Sequence, residues 1–448
     1  MAEKYLAYPE YKNSGVEWLG IVPSHWDTKP LKYLCTYNDD VLPDSTSKVF
    51  KLEYVDIGSV SSTEGITNTE NMIFENAPSR AKRIVKDGDV IVSTVRTYLE
   101  AIAPINNPPE NMIVSTGFAV IRPNEYLCKG YAAYCLKAKG FIKEVVSLSV
   151  GLSYPAINAT DLVGIKIPSL PFNEQTQVAN FLDHETAQID TLIDKQKILI
   201  QLLKEKRQAV ISHAVTKGLN PDVPMKDSGV DWLGDVPRHW VEKPLRYVGN
   251  CQNGINIGAE FFGSGFPFLS YGDAYKNVEL PKLVEGLVQS TEKDRISYSV
   301  RRGDIIFTTT SETIEEIGLA STCLTEIKDA TFAGFLTRFR PFTNLLYPEF
   351  SKYYFRNSKL RFFFVNEMNI VTRASLSQEL LKKLPVLLPP LEEQIKIAQK
   401  LHKQEILFRK LIENAFKAIQ LMQERRTALI SAAVTGKIDV RSWQVPNV

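Results

Sequence analysis

The sequence predicts an α+β protein: two domains related by pseudo-two-fold symmetry, separated by two long helices that pair as an antiparallel coiled coil. Three observations predict it. Both halves open on the same segment, both close on a proline-free heptad stripe, and the stretches between agree only in outline. Internal repetition of this kind decides an architecture before local propensity does. At 448 residues the chain is also long enough to bury two cores of good size.

The opening segment, Tyr11–Leu34 (YKNSGVEWLGIVPSHWDTKPLKYL), returns as Met225–Val248 (MKDSGVDWLGDVPRHWVEKPLRYV), with 15 of 24 positions identical. The matched pairs include Trp18/Trp232, Trp26/Trp240 and His25/His239. Each copy then runs through short Val/Ile/Phe/Thr stretches divided by turns, the pattern of a twisted sheet followed by a helix. A Gly-Asp leads into a β-rich run in both, Gly88–Thr94 and Gly303–Thr309. GF…RP follows, at Gly117-Phe118…Arg122-Pro123 and Gly334-Phe335…Arg340-Pro341, and then an aromatic-rich helical stretch, Tyr131–Ser147 and Phe350–Glu367. Elsewhere the middles diverge. One backbone presenting two unlike surfaces suits a ligand with two unlike halves.

Glu174–Thr216 aligns without a gap to Glu393–Thr435, ending in EKRQAVISHAVT and ERRTALISAAVT. Apolar residues recur in steps of three and four: Val178, Leu182, Ile189, Leu192, Leu199, Leu203 and Val210, matched by Ile397, Leu401, Phe408, Leu411, Ala418, Met422 and Leu429. Pro171 and Pro390 precede these stretches and Gly218 and Gly436 follow, as helix boundaries should. About forty residues make a helix of roughly 60 Å, whose stripe needs a partner. The other helix is the natural one, and two-fold symmetry makes the pair antiparallel; two unrelated core helices are the plain alternative. The expected domains are 1–170, the first spacer helix 171–220, 221–388, and the second spacer helix with tail 389–448.

Composition excludes more than it assigns. The net charge of +2 does not announce a nucleic-acid partner. Five scattered cysteines without a Cys-x-x-Cys pair argue against a disulfide framework and a zinc site, and fit a reducing cytoplasm. The opening residues lack the basic and apolar regions of a signal peptide, and no apolar run suits a membrane span.

SGVEWLG…P-x-HW opening each half, and P-x-x-EQ helices ending in R-x-A-[VL]-I-S-x-A-V-T, resemble the shared regions of type I restriction–modification specificity subunits (HsdS). The resemblance covers nearly the whole chain and is specific as a set, while the middles carry no diagnosis. It implies two target recognition domains, each followed by a spacer helix, reading a bipartite double-stranded DNA target. It also implies assembly with two methyltransferase (HsdM) subunits and two restriction/motor (HsdR) subunits. S-adenosylmethionine would sit on the former, ATP and Mg on the latter, and no cofactor on this chain. A non-DNA assembly scaffold is the reading from another class.

Catalytic signatures are weak. Asn107-Pro108-Pro109-Glu110 approaches the Asn-Pro-Pro-aromatic motif of adenine methyltransferases, but Glu110 replaces the ring that would stack on an extruded base, and the second copy has no equivalent. Asp304 with Glu326-Ile327-Lys328 has nuclease-like spacing, yet the first copy has Asp89 and no Glu-x-Lys. Gly436-Lys437-Ile438 lacks the loop and hydroxyl of a phosphate-binding motif. The expectation is a non-catalytic subunit.

Residues common to both halves cannot encode two different targets. Trp18, Trp26, Trp232 and Trp240 are therefore expected to anchor the repeated segment or to dock a partner. DNA reading belongs to the middles, where Arg and Lys suit guanine and Asn or Gln adenine. In the first domain the candidates are Arg80, Lys82, Arg83, Arg96, Thr97, Tyr98, Ser153 and Tyr154. In the second they are Arg295, Arg301, Arg302, Thr310, Ser311, Thr372 and Arg373. For each, a phosphate contact or plain solvation is the alternative. Two readers on one face of B-DNA stand about 10–10.5 bp apart.

Overall fold

In a strand, successive side chains point to opposite faces, so a run without polar interruption must be covered on both. The computed structural model, which describes residues 5–61, 63–311, 317–367 and 374–445, shows this at Val90–Ser93. Val90 and Val92 join a helical core with Tyr131, Leu136 and Leu182, while Ile91 joins Val114, Phe118 and Val120 on the other side. Ile305–Thr308 repeats the arrangement: Ile305 and Phe307 pack with Tyr354, Leu388 and Ile397, and Ile306 with Leu269 and Phe332.

Contacts divide the chain into two units, Met1–Gln196 with Phe416–Val448, and Lys197–Ala415. In the first, an antiparallel sheet has the order Ile102–Pro104, Val90–Ser93, Phe118–Pro123, Cys35–Tyr37. A second sheet places Lys51–Val55 between Glu70–Ile73 and Met112–Ser115, parallel to the latter, and adds Ala81–Ile84 at its edge.

The second unit repeats the first sheet as Ala320–Thr322, Ile305–Thr308, Leu336–Pro341, Gly249–Asn253. Its second sheet again pairs a long strand, Phe262–Leu269, antiparallel with Leu287–Val288 and parallel with Thr331–Phe332. The middles thus share a topology that their sequences hide. Ladder register corrects one sequence match: Phe118 faces Ser93 as Leu336 faces Thr308, so Phe335 stands where the first unit has Gly117.

The long helices span Phe172–Lys217 and Leu391–Val434. In the first unit the start of one, Val178 to Ile193, shares a core with the end of the other, Leu429 to Val434, and Arg426 pairs with Asp190 at 2.9 Å. In the second unit Ala214 and Val215 pack with Ile397, Ala398 and Leu401. Beginning against end in each unit is the antiparallel pair. The stripe differs from expectation in the middle: Leu192, Leu199 and Leu411 are exposed, and Ile193, Ile200 and Ala415 are buried instead. At 3.6 residues per turn the steps that hold one face here are four and seven: Ile189, Ile193 and Ile200 follow one another on the first helix and Phe408 and Ala415 on the second, where steps of three to Leu192 and Leu411 turn away from the core.

No helix among the described residues is long and apolar enough to cross a membrane.

Candidate nucleic-acid interface

Each unit closes on a repeated polar lock. Glu174, the third residue of the first long helix, accepts from the Tyr8 hydroxyl at 2.6 Å and Trp26 Nε1 at 3.0 Å, with His25 Nε2 at 2.9 Å. Glu393 accepts from Trp240 Nε1 at 3.1 Å and lies 2.8 Å from His239 Nε2. The neighbouring glutamines, Gln175 and Gln394, each accept from one backbone N–H, of Cys128 and Tyr347, and donate to two carbonyls. These bonds give the P-x-x-EQ and Pro-x-His-Trp segments their residue types.

The same turns receive the ends of the helices. Gly436 lies against Pro23 and Trp26, and Gly218 beside Trp240 and Pro237. Trp26 and Trp240 are 0% and 1% exposed, which corrects the expectation that they dock a partner: their rings are spent inside their own units. Trp18 and Trp232 are only partly buried, and Trp18 donates to the Lys166 carbonyl at 3.2 Å.

Asp89 and Asp304 belong to the framework as well. Arg122 reaches both oxygens of Asp89 at 2.8 Å, and Arg340 both of Asp304 at 2.7 Å, two-pronged pairs of the strong kind.

Beyond the framework, one end of each unit is dressed differently. In the first, Thr94 donates to the Gly117 carbonyl, Thr116 N–H to the Arg80 carbonyl at 2.8 Å, and Thr97 N–H to the Pro155 carbonyl. Val95 and Val150 both bridge to Ala156. These bonds gather Arg80, Arg96, Thr97, Tyr98, Ser153 and Tyr154 at a single tip. Arg96 lies 5.1 Å from the Tyr154 ring, and both are exposed. Thr97 does not serve as expected: it is 3% exposed and its hydroxyl donates to Ser149 at 2.8 Å. Leu152, fully exposed beside Ser153, escaped the sequence reading because an apolar residue carries no recognition signature.

At the corresponding tip of the second unit, Thr309 donates to the Phe335 carbonyl, and Thr310–Ser311 pairs with Ala374–Ser375. Asn253, Thr310, Phe335, Leu376 and Gln378 line an open groove of about 500 Å³. Asn253, Phe335 and Gln378 were not expected; ladder register brings the first two beside Thr310, and the start of the helix Gln378–Lys383 brings the third. Thr372 and Arg373 lie outside the described residues.

Several nominated cations stand elsewhere or are already engaged. Lys82 lies 2.6 Å from Asp44, holding that carboxyl below the usual range, and sits over Phe74. Arg83 points toward the Asn38 carbonyl, and Arg80 pairs with Asp56 at 2.7 Å and Tyr54 at 3.1 Å. Arg295 stacks on Phe266 at 3.6 Å and donates to the Ser290 carbonyl. Arg301 and Arg302 occupy the turn leading into Ile305–Thr308, the opposite end of that strand from Thr310, and Arg302 pairs with Glu349 at 2.6 Å.

Two copies of one framework, each tipped with its own set of side chains, define a duplicated fold that presents two unlike surfaces. Comparison gives its kind: the family model described as type I restriction modification DNA specificity domain matches residues 23–202 and 237–419. The chain belongs to this family, the specificity subunits of type I restriction–modification systems. It is 22% identical to the StySPI specificity subunit of Salmonella potsdam, over 96% of this chain and 92% of the relative. To the EcoKI specificity subunit of Escherichia coli strain K12 it is 24% identical, over 73% and 69%. Among solved structures, the HsdS subunit from Thermoanaerobacter tengcongensis superposes with a TM-score of 0.56 at 21% identity, covering 93% of this chain and 98% of its own. A chain solved in work on assembly and conformational transition of the type I system reaches 0.67 at 21% identity, over 93% and 99%. These likenesses agree on the fold.

Proposed function

We propose that this chain reads a bipartite double-stranded DNA target, each unit taking one half-site in the major groove while the helix pair sets the gap. One observation carries the reading: the same sheet order, Asp–Arg pair and Glu–Trp lock end in Arg96, Leu152 and Tyr154 in one unit and in Asn253, Thr310 and Phe335 in the other. A repeated framework positions; differing tips specify. The chain docks two HsdM subunits, with the partly exposed indoles of Trp18 and Trp232 as equivalent contacts. Through that complex it serves two HsdR subunits. Methyl transfer and its S-adenosylmethionine belong to HsdM, ATP and Mg to HsdR, and this chain supplies recognition without catalysis, in the cytoplasm.

Selection of duplexes by the chain assembled with HsdM tests the reading. One bipartite sequence should be bound in strong preference to its scrambled form. Equal binding of all duplexes by an intact assembly would leave a protein scaffold instead. Exchanging residues 35–165 for those of another specificity subunit should change one half-site only.

A further inference from the structure

We infer that Arg96, braced by Tyr154, is the residue that specifies a guanine in the half-site read by the first unit. This rests on the DNA-reading function proposed above and names the group that performs it.

Ladder register fixes the position. Asp89 and Asp304 precede the equivalent central strands, and Thr94 and Thr309 close them with the same pair of bonds to the carbonyls of Gly117 and Phe335. Two residues beyond those threonines stand Arg96 and Ser311. One backbone position therefore offers a planar cation in one unit and a hydroxyl in the other, at the border where the shared framework stops.

Arg96 differs from three of the other nominated cations in how it is held. Arg80, Lys82 and Arg302 are committed to carboxylates. The Arg96 side chain has, among the described residues, no carboxylate or hydrogen-bond partner, only the Tyr154 ring. A guanidinium over a ring keeps its donors free at its edge while losing rotational freedom. Its backbone is left-handed, φ 52 and ψ 47, and Glu100 across the short turn Thr97–Leu99 is left-handed too, φ 51. Non-glycine residues occupy that region at a cost and concentrate at functional sites. Here the turn is pinned by Thr97, whose N–H donates to the Pro155 carbonyl and whose hydroxyl donates to Ser149. The loop carrying Tyr154 thus holds the turn that displays Arg96. A fixed, unpaired guanidinium fork matches the O6 and N7 acceptors of guanine.

The test is selection from duplexes randomised in the first half-site, using the chain assembled with HsdM. The wild type should demand guanine at one position. Arg96→Gln should move that preference toward adenine, Arg96→Ala should lower discrimination there about five- to hundredfold, and Tyr154→Leu should weaken it less. All three variants should keep the second half-site and the wild-type melting temperature. Uniformly weaker binding of every sequence by Arg96→Ala, with a smaller salt dependence, would make Arg96 a phosphate contact and overturn the inference while the DNA-reading function stands. Unchanged discrimination would overturn it as well. A wild type with no preference in either half-site defeats both.

Discussion

At Asp89 a carboxylate that is 1% exposed receives both prongs of Arg122, and Asp304 receives Arg340 in the same way. The two pairs differ in their surroundings. Arg122 keeps a second carboxylate, Asp40 at 2.7 Å, whereas the other near partners of Arg340 are the carbonyl and hydroxyl of Ser299. Asp304→Asn should therefore cost about 3–5 kcal/mol, the range for orphaning a buried charge, and Asp89→Asn distinctly less, as read by urea denaturation. Burial also pushes the thiols of Cys35, Cys135 and Cys323 from the ordinary 9.0 up to about 12. The unfolded chain releases these protons first, so the stability they lend is complete below pH 9 and drains away as pH rises toward 12. Melting temperature should fall across that window, and replacing the three cysteines with alanine should flatten the fall.

Among the elements, the long helices depend most on their ends. Gly436 has φ +71, and a Cβ there would stand 2.3 Å from Pro23 Cδ. Gly218 has φ +80, but the nearest contact of a Cβ there would be 3.1 Å away, at the Glu393 carboxylate, a close approach without overlap. Gly436→Ala combines strain with overlap and should lose more than the ~1 kcal/mol expected of left-handed strain alone in Gly218→Ala, a difference visible in thermal melts. The helices were legible because proline-free length, three-and-four spacing and flanking Pro and Gly are all local signals. Leu192 and Leu411 were misplaced because the buried face of a long helix is chosen by its neighbours. The tips were legible only in part. Arg96 and Tyr154 stood out as chemistry on divergent stretches, whereas Phe335 and Asn253 reach Thr310 through a strand register that no local pattern reveals, and the bonds that withdraw Thr97 and Lys82 are tertiary.

For the molecule as a whole, the proposed gap between half-sites is a property of the helix pair. Inserting four residues, about one turn, between Gln196 and Lys197 of the first long helix alone displaces its stripe by about 6 Å against an unaltered partner. Selected targets should then show a changed gap, or lose the second half-site altogether. An unchanged gap with full affinity would separate spacing from the helices.

Ile438, Val440 and Trp443 pack into the same core as Tyr8, Trp26 and Phe181. A ribosome delivers the second unit as one unbroken run, yet it must finish that run before it releases the residues that close the first. The half synthesised earliest is therefore completed last, and its apolar seam stays open on the nascent chain until residues beyond 438 emerge.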